Sequence, residues 1–162
     1  AEVCCAANRL PPGREEERME LLRPLFGKTG AEFTITPDFH CDYGVNITLG
    51  EDFYANYNLV ILDCAPVTFG DNVLVGPGCG FYTAIHPLDA AHRATGEEKA
   101  APITVGSDVW FGGNVTVLPG VTIGEGAVIG AGSVVTRDIP PGVVAAGNPC
   151  RVLRPVDQEQ AP

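Results

Sequence analysis

Positive charge is scarce in this sequence: 10 Lys and Arg stand against 20 Asp and Glu over 162 residues, a net charge of −10. Such a surface repels phosphate backbones and anionic headgroups, so neither nucleic acid nor a membrane surface is expected as a partner. Long apolar runs are missing too, and no segment approaches the ~20 consecutive apolar residues of a membrane span. The start, Ala1-Glu2-Val3-Cys4-Cys5, has neither an initiator Met nor the basic-then-apolar pattern of a secretory signal, as expected of a trimmed chain that works in the cytoplasm. C-x-x-C spacing is absent. Cys4, Cys5, Cys41, Cys64, Cys79 and Cys150 are too sparse for a secreted disulfide scaffold and read as free thiols. What the chain does have is 45% apolar residues, enough to bury one core and to exclude disorder as the dominant state. Its 20 Gly and 14 Pro, scattered rather than clustered, suggest many short strands and turns.

The apolar residues carry a repeat. From residue 103 onward Val105, Phe111, Val117, Ile123, Ile129 and Val135 recur with a step of six, and two places before each later member stand Val109, Val115, Val121, Ala127 and Ser133. Gly106, Gly112, Gly124 and Gly130 follow four members of the first row, where the chain must turn a corner and glycine is expected to relieve backbone strain. Phe69, Val75 and Phe81 repeat the register upstream, as do Leu49, Ala55 and Ile61 before Ala65-Pro66 shifts the phase by two. A helix repeats near 3.6 and an alternating sheet at two, so a step of six fits neither. It predicts an all-β fold, a left-handed parallel β-helix in which each hexapeptide forms one flat face and three faces make a coil of about eighteen residues.

The expected organisation is a helical segment and lead-in over residues 1–44, the β-helix over 45–154 with a protruding loop at 82–102, and a flexible tail over 155–162. Roughly five coils fit between residues 45 and 138. Within the lead-in, residues 14–26 (REEERMELLRPLF) carry Met19, Leu21, Leu22, Leu25 and Phe26 beside a charged side. That pattern predicts a short amphipathic helix weakened at its end by Pro24 and Gly27. A loop as long as 82–102 leaving a rigid solenoid points to a site.

Three histidines, His40, His86 and His92, are candidates for proton transfer, because imidazole ordinarily titrates near neutral pH (pKa ~6.5) and so suits taking a proton from a hydroxyl. His86 stands out because it lies where the loop leaves the solenoid wall. No metal centre is expected: His86 and His92 are six apart, His40 precedes the repeats, and no His/Cys cluster has the spacing of a structural site. Cys79 occupies a lattice position and reads as a core residue. Cys64, near the proposed site in sequence, stays open between nucleophile and pocket residue.

Six segments sharpen this reading: Cys41-Asp42-Tyr43-Gly44, Tyr54-Ala55-Asn56-Tyr57-Asn58, Phe69-Gly70-Asp71-Asn72-Val73, Thr83-Ala84-Ile85-His86-Pro87-Leu88, Asp108-Val109-Trp110-Phe111-Gly112-Gly113 and Ala145-Ala146-Gly147-Asn148-Pro149. Their ordered set resembles the maltose and galactoside O-acetyltransferase family of hexapeptide-repeat acyltransferases over nearly the whole chain. The resemblance implies transfer of an acetyl group from acetyl-CoA to a sugar hydroxyl, with His86 as general base and no acyl-enzyme. It implies a sugar pocket lined by Asp42 and Asn56. Galactoside-type relatives place an Asp where Cys64 stands, which moves the expected acceptor toward glucose or maltose. Trp110, Gly113, Ala131 and Thr136 match positions along the cofactor arm, and Arg137, Arg151 and Arg154 match positions that meet coenzyme A, where guanidinium suits phosphate. The backbone N–H groups at Gly112-Gly113 are candidates to hold the developing oxyanion. The resemblance also implies a homotrimer with sites between subunits, His86 and the cofactor groove coming from different chains; broad parallel faces are suited to such burial. Relatives begin with a further helical segment that the chain is expected to lack. Two alternatives remain open on the residues alone: an acetyltransferase for an amine, a serine hydroxyl or a lipo-oligosaccharide, and a non-catalytic scaffold.

Overall fold

A computed structural model describes residues 1–156. Residues 28–150 wind as a left-handed parallel β-helix of about six turns. Three faces are visited in order by each coil. The first stacks Ile47–Thr48, Val67–Phe69, Ile103–Val105 and Thr122–Ile123. The second stacks Phe33–Ile35, Phe53–Ala55, Leu74–Val75, Trp110–Phe111, Val128–Ile129 and Val143–Ala146, and the third Phe39–Cys41, Leu59–Leu62, Gly80–Tyr82, Thr116–Val117 and Val134–Val135. All these pairings are parallel. The last strand, Arg151–Pro155, turns back antiparallel on Val143–Ala146 and covers the edge of the second face.

Both inward rows read from the sequence are buried, from Val105 through Val135 and from Val109 through Ser133. Along the axis Phe53, Phe69, Phe81 and Phe111 form a continuous ladder, with ring centroids 5.0, 4.9 and 5.2 Å apart. Two of the three ring pairs are edge-to-face, the geometry that an aromatic quadrupole favours, and each pair adds ~0.5–1.5 kcal/mol to the burial of its rings.

The first coil lies upstream of residue 45: Phe33–Ile35 pairs with Phe53–Ala55, Phe39–Cys41 pairs with Leu59–Ile61, and Lys28 bridges Thr48. It escaped the six-step because Cys41 to Leu49 spans eight positions, and the six turns accordingly exceed the five expected. Two helices cap this end. Helix α1 (Glu2–Asn8) was not anticipated, and the helix expected over 14–26 is α2 (Glu15–Leu22) followed by a 3-10 turn at Arg23–Leu25. Arg18, on the nominally charged side of α2, is only 3% exposed. Its guanidinium donates to the carbonyls of Ala7 (3.2 Å) and Leu10 (3.0 Å), at and just beyond the end of α1.

Glycine serves the corners differently from the expectation. Gly112 is not in a left-handed conformation; a Cβ there would stand 2.6 Å from the backbone nitrogen of Ala131 in the next coil, so close stacking excludes any side chain. The left-handed residues come two places later, at Asn114 (φ 56°) and Gly132 (φ 72°). At the C-terminal end Val156 donates its N–H to Gly142 O at 2.9 Å; of the tail expected over 155–162, residues 157–162 lie outside the described residues. Among the described residues no helix is long and apolar enough to cross a membrane.

Candidate active site

Corners between the third and first faces are widened three times in succession. Cys41 to Leu49 and Ile61 to Phe69 each take eight positions, and Phe81 to Val105 takes 24, yet the flanking strands stay in register. The widenings stack on one edge of the prism and are tied together by buried groups. Asp63, fully buried, accepts N–H bonds from Asp42 (3.1 Å), Tyr43 (2.9 Å) and Asn46 (3.3 Å). Thr83, also buried, donates to Leu62 O (2.7 Å) and accepts from Ala65 N (3.0 Å). Two buried polar side chains thus fix two loops whose backbones leave the ladder.

The long loop is a small hairpin. Ala84–Ile85 pairs antiparallel with Lys99–Ala100, with Ile85 opposite Lys99, and its tip is a helical turn at Ala90–Arg93 capped by Asp89, which accepts from His92 N at 2.8 Å. That register sets His86 opposite Glu98, and His86 Nε2 lies 3.2 Å from Glu98 Oε2. His92 makes a separate pair with Glu97 at 2.7 Å. Cys64 donates to Asp42 Oδ2 at 3.5 Å. Burial, then the carboxylates of Asp42 and Glu98, push this thiol up to about 11, so at neutral pH it is a protonated donor and a poor nucleophile. Asp42, Cys64 and His86 are therefore joined through Glu98, a residue the sequence reading did not single out. Cavities of about 340 and 360 Å³ flank the pair: the first is lined by His86, Leu88, His92 and Lys99 among others, the second by Tyr43, Val45, Cys64, Glu98 and Lys99.

The residues expected to meet the cofactor, and Asn56, stand mostly elsewhere. Asn56 leaves the second face with its N–H on Val75 O (2.9 Å), and above it the Gly112 and Gly130 N–H groups donate to Ile129 O and Ala145 O, both at 2.8 Å. Gly113 and Ala131 follow these glycines on the same edge, between the second and third faces. Arg151 pairs with Ala146 at the top of that column, and Trp110, 54% exposed, lies between Leu74 and Val128 on the strand that enters it. Since Gly112 N–H is engaged, the oxyanion candidate narrows to Gly113. Thr136 and Arg137 sit instead above the widened edge, directly after Val134–Val135, and Arg154 lies opposite Val144 on the last strand. One protomer thus divides the expected site between two edges of the prism. Among the described residues no group of three or more His, Cys, Asp or Glu could hold a metal ion.

Comparison with known proteins gives the following. A family model described as bacterial transferase hexapeptide (six repeats) matches residues 102–137. The galactoside O-acetyltransferase of Escherichia coli (strain K12) is 47% identical over 150 residues, 93% of this chain and 74% of the relative. A solved structure of a galactoside acetyltransferase in complex with coenzyme A superimposes with a TM-score of 0.93 at 45% identity, covering 96% of this chain and 78% of that one. A maltose O-acetyltransferase from Clostridium difficile 630 does so with a TM-score of 0.95 at 45% identity, over 97% of this chain and 84% of that one.

Proposed function

The chain belongs to the hexapeptide-repeat acetyltransferases of the galactoside and maltose O-acetyltransferase type, and from that premise we propose that it moves an acetyl group from acetyl-CoA to a hydroxyl of glucose, maltose or a related glycoside. It is an acetyl-CoA-dependent O-acetyltransferase; the acceptor and the roles of its residues are our reading. The observation that carries this reading is the His86–Glu98 pair at 3.2 Å, standing beside Asp42 and Cys64 on the widened edge.

An acceptor hydroxyl bound there gives its proton to the His86 imidazole as its oxygen attacks the thioester carbonyl. The Glu98 carboxylate stabilises the imidazolium that forms, as a carboxylate does for the base of a hydrolytic triad. The C–S bond then breaks, and the departing thiolate recovers the proton. Asp42, and Asn56 from a neighbouring copy, orient the sugar by its hydroxyls, while Cys64, protonated, contributes a donor where a carboxylate would accept. The cofactor lies along the edge marked by Trp110, Gly113 and Ala131, with the N–H of Gly113 on the carbonyl oxygen. Thr136 and Arg137, with Arg151 and Arg154, hold its distal end and phosphates. Because His86 and that groove occupy different edges of one protomer, the complete site forms between copies, and a homotrimer satisfies this with three equivalent junctions.

Thiol release from acetyl-CoA, followed with glucose, maltose and a galactoside in turn, tests the reading. Turnover with at least one sugar, falling by on the order of 100-fold or more in His86→Ala, is the expected result. Equal turnover in both proteins would remove His86 from the chemistry.

A further inference from the structure

At the capped end of the solenoid, where the strand ending in Cys41 enters the widened edge, Cys4 and Cys41 face each other with Sγ atoms 3.8 Å apart. Cys4 is buried on α1, and half-buried Cys41 ends the strand Phe39–Cys41. Acetyl transfer uses neither thiol. Their approach is held in place by polar clamps. The Asn8 side chain both donates to Phe39 O and accepts from Phe39 N, each at 3.0 Å, so that α1 is bonded to the same strand that carries Cys41. From the other side Arg18 grips the end of α1 through Ala7 O and Leu10 O. A cavity of about 400 Å³ lined by Cys4, Cys5, Asn8, His40 and Cys41, among others, gives small molecules a way to the pair. A disulfide needs sulfurs ~2.05 Å apart, so the two atoms have to close by less than about 2 Å.

We propose that Cys4 and Cys41 are a redox modification site: a small peroxide oxidises them to a reversible disulfide that fastens α1 to the first coil. The thiolate of Cys4 attacks one peroxide oxygen, the O–O bond breaks, and hydroxide leaves and is protonated to water. The sulfenic acid so formed is attacked at sulfur by Cys41, which gives up its proton as the S–S bond forms and the second oxygen departs as water. Two thiols lose two electrons, and the peroxide gains them. The order of events follows from the local electrostatics. The hydrogen bond that the two sulfurs share draws the Cys4 thiol down, whereas that same bond and burial push Cys41 up. Cys4 is the attacking sulfur and Cys41 the resolving one. Exposed Cys5, next to Cys4 on the helix and on the wall of the same cavity, is the natural competitor.

The test treats the full chain with stoichiometric hydrogen peroxide, digests it without reduction and reads the linked peptides by mass spectrometry. The expected product has lost two hydrogens and contains a Cys4–Cys41 link, two of the six thiols have disappeared, and dithiothreitol restores both. The link persists in Cys5→Ser and is abolished in Cys4→Ser and in Cys41→Ser. Asn8→Ala, which loosens the clamp, slows its formation severalfold. A Cys5–Cys41 link, a link between two chains, or sulfinic acid at Cys4 with no link overturns the proposal. The unmodified sequence decides the matter by itself, whether or not a variant folds.

Discussion

Two edges of the same prism obey different rules. Between the second and third faces every corner from Gly76 upward touches the next, as the 2.6 Å between a Cβ on Gly112 and the Ala131 nitrogen makes plain, and no residue can be added without breaking the stack. Between the third and first faces the chain takes eight, eight and then 24 positions where six suffice, and Phe69 still pairs with Val105. The faces and the phenylalanine ladder hold the register, so a corner outside the ladder can be lengthened at little cost to the core. The lesson is a division of labour: the strict edge supplies rigidity, the widened edge supplies titratable side chains. It follows that core damage and site damage should separate in measurement.

The largest effect falls on the core. Phe81 touches the rings of both Phe69 and Phe111, and Phe81→Ala should cost ~3–5 kcal/mol of stability through the cavity it leaves, seen as an early midpoint in denaturant. His86, with its side chain 60% exposed, should instead lose activity while its unfolding midpoint stays within ~0.5 kcal/mol of the parent. Asp63→Ala is intermediate. It orphans three N–H groups at the widened corners, so ~1–3 kcal/mol of stability should go, and the KM for the sugar should rise more than that for acetyl-CoA. Failure of that split would mean that the buried carboxylate supports the fold without shaping the acceptor pocket. The smallest effect is at Cys64. With its pKa raised, the thiolate is scarce below about pH 11, so alkylation by iodoacetamide should be slow at pH 8 and climb steeply toward pH 11. Asp42→Asn removes one negative neighbour, which lowers the pKa and should hasten labelling at pH 8 with stability unchanged.

The strict part of the fold was legible because burial on a stacked coil dictates residue type at every sixth position; Gly113 and Ala131, eighteen apart, could be placed one above the other by counting. The widened part was only partly so. His86 was visible as a histidine at a break in the repeat, but Glu98 reached it through an antiparallel hairpin whose register no hexapeptide period encodes. Nothing in the residue pattern marks Asp63 or Arg18 as buried, and only the backbone groups they satisfy explain why they are. The first coil hid behind one lengthened corner, and α1 buries only the small Cys4 and Ala7, with Asn8 and Arg18 bonding it to its neighbours.

The central claim is that each site joins the widened edge of one copy to the strict edge of another. Mixing two variants tests it most directly: His86→Ala, which lacks the proposed base, and Ala131→Trp, which fills the proposed cofactor groove, each expected to be inactive alone. Co-refolded in equal amounts, they should regain about one quarter of the parent thiol-release activity if copies assort at random in a closed ring, since each working junction needs one unaltered edge from either partner. Activity no higher than that of the two variants alone, in oligomers shown to contain both, would contradict the account and put base and groove on one chain.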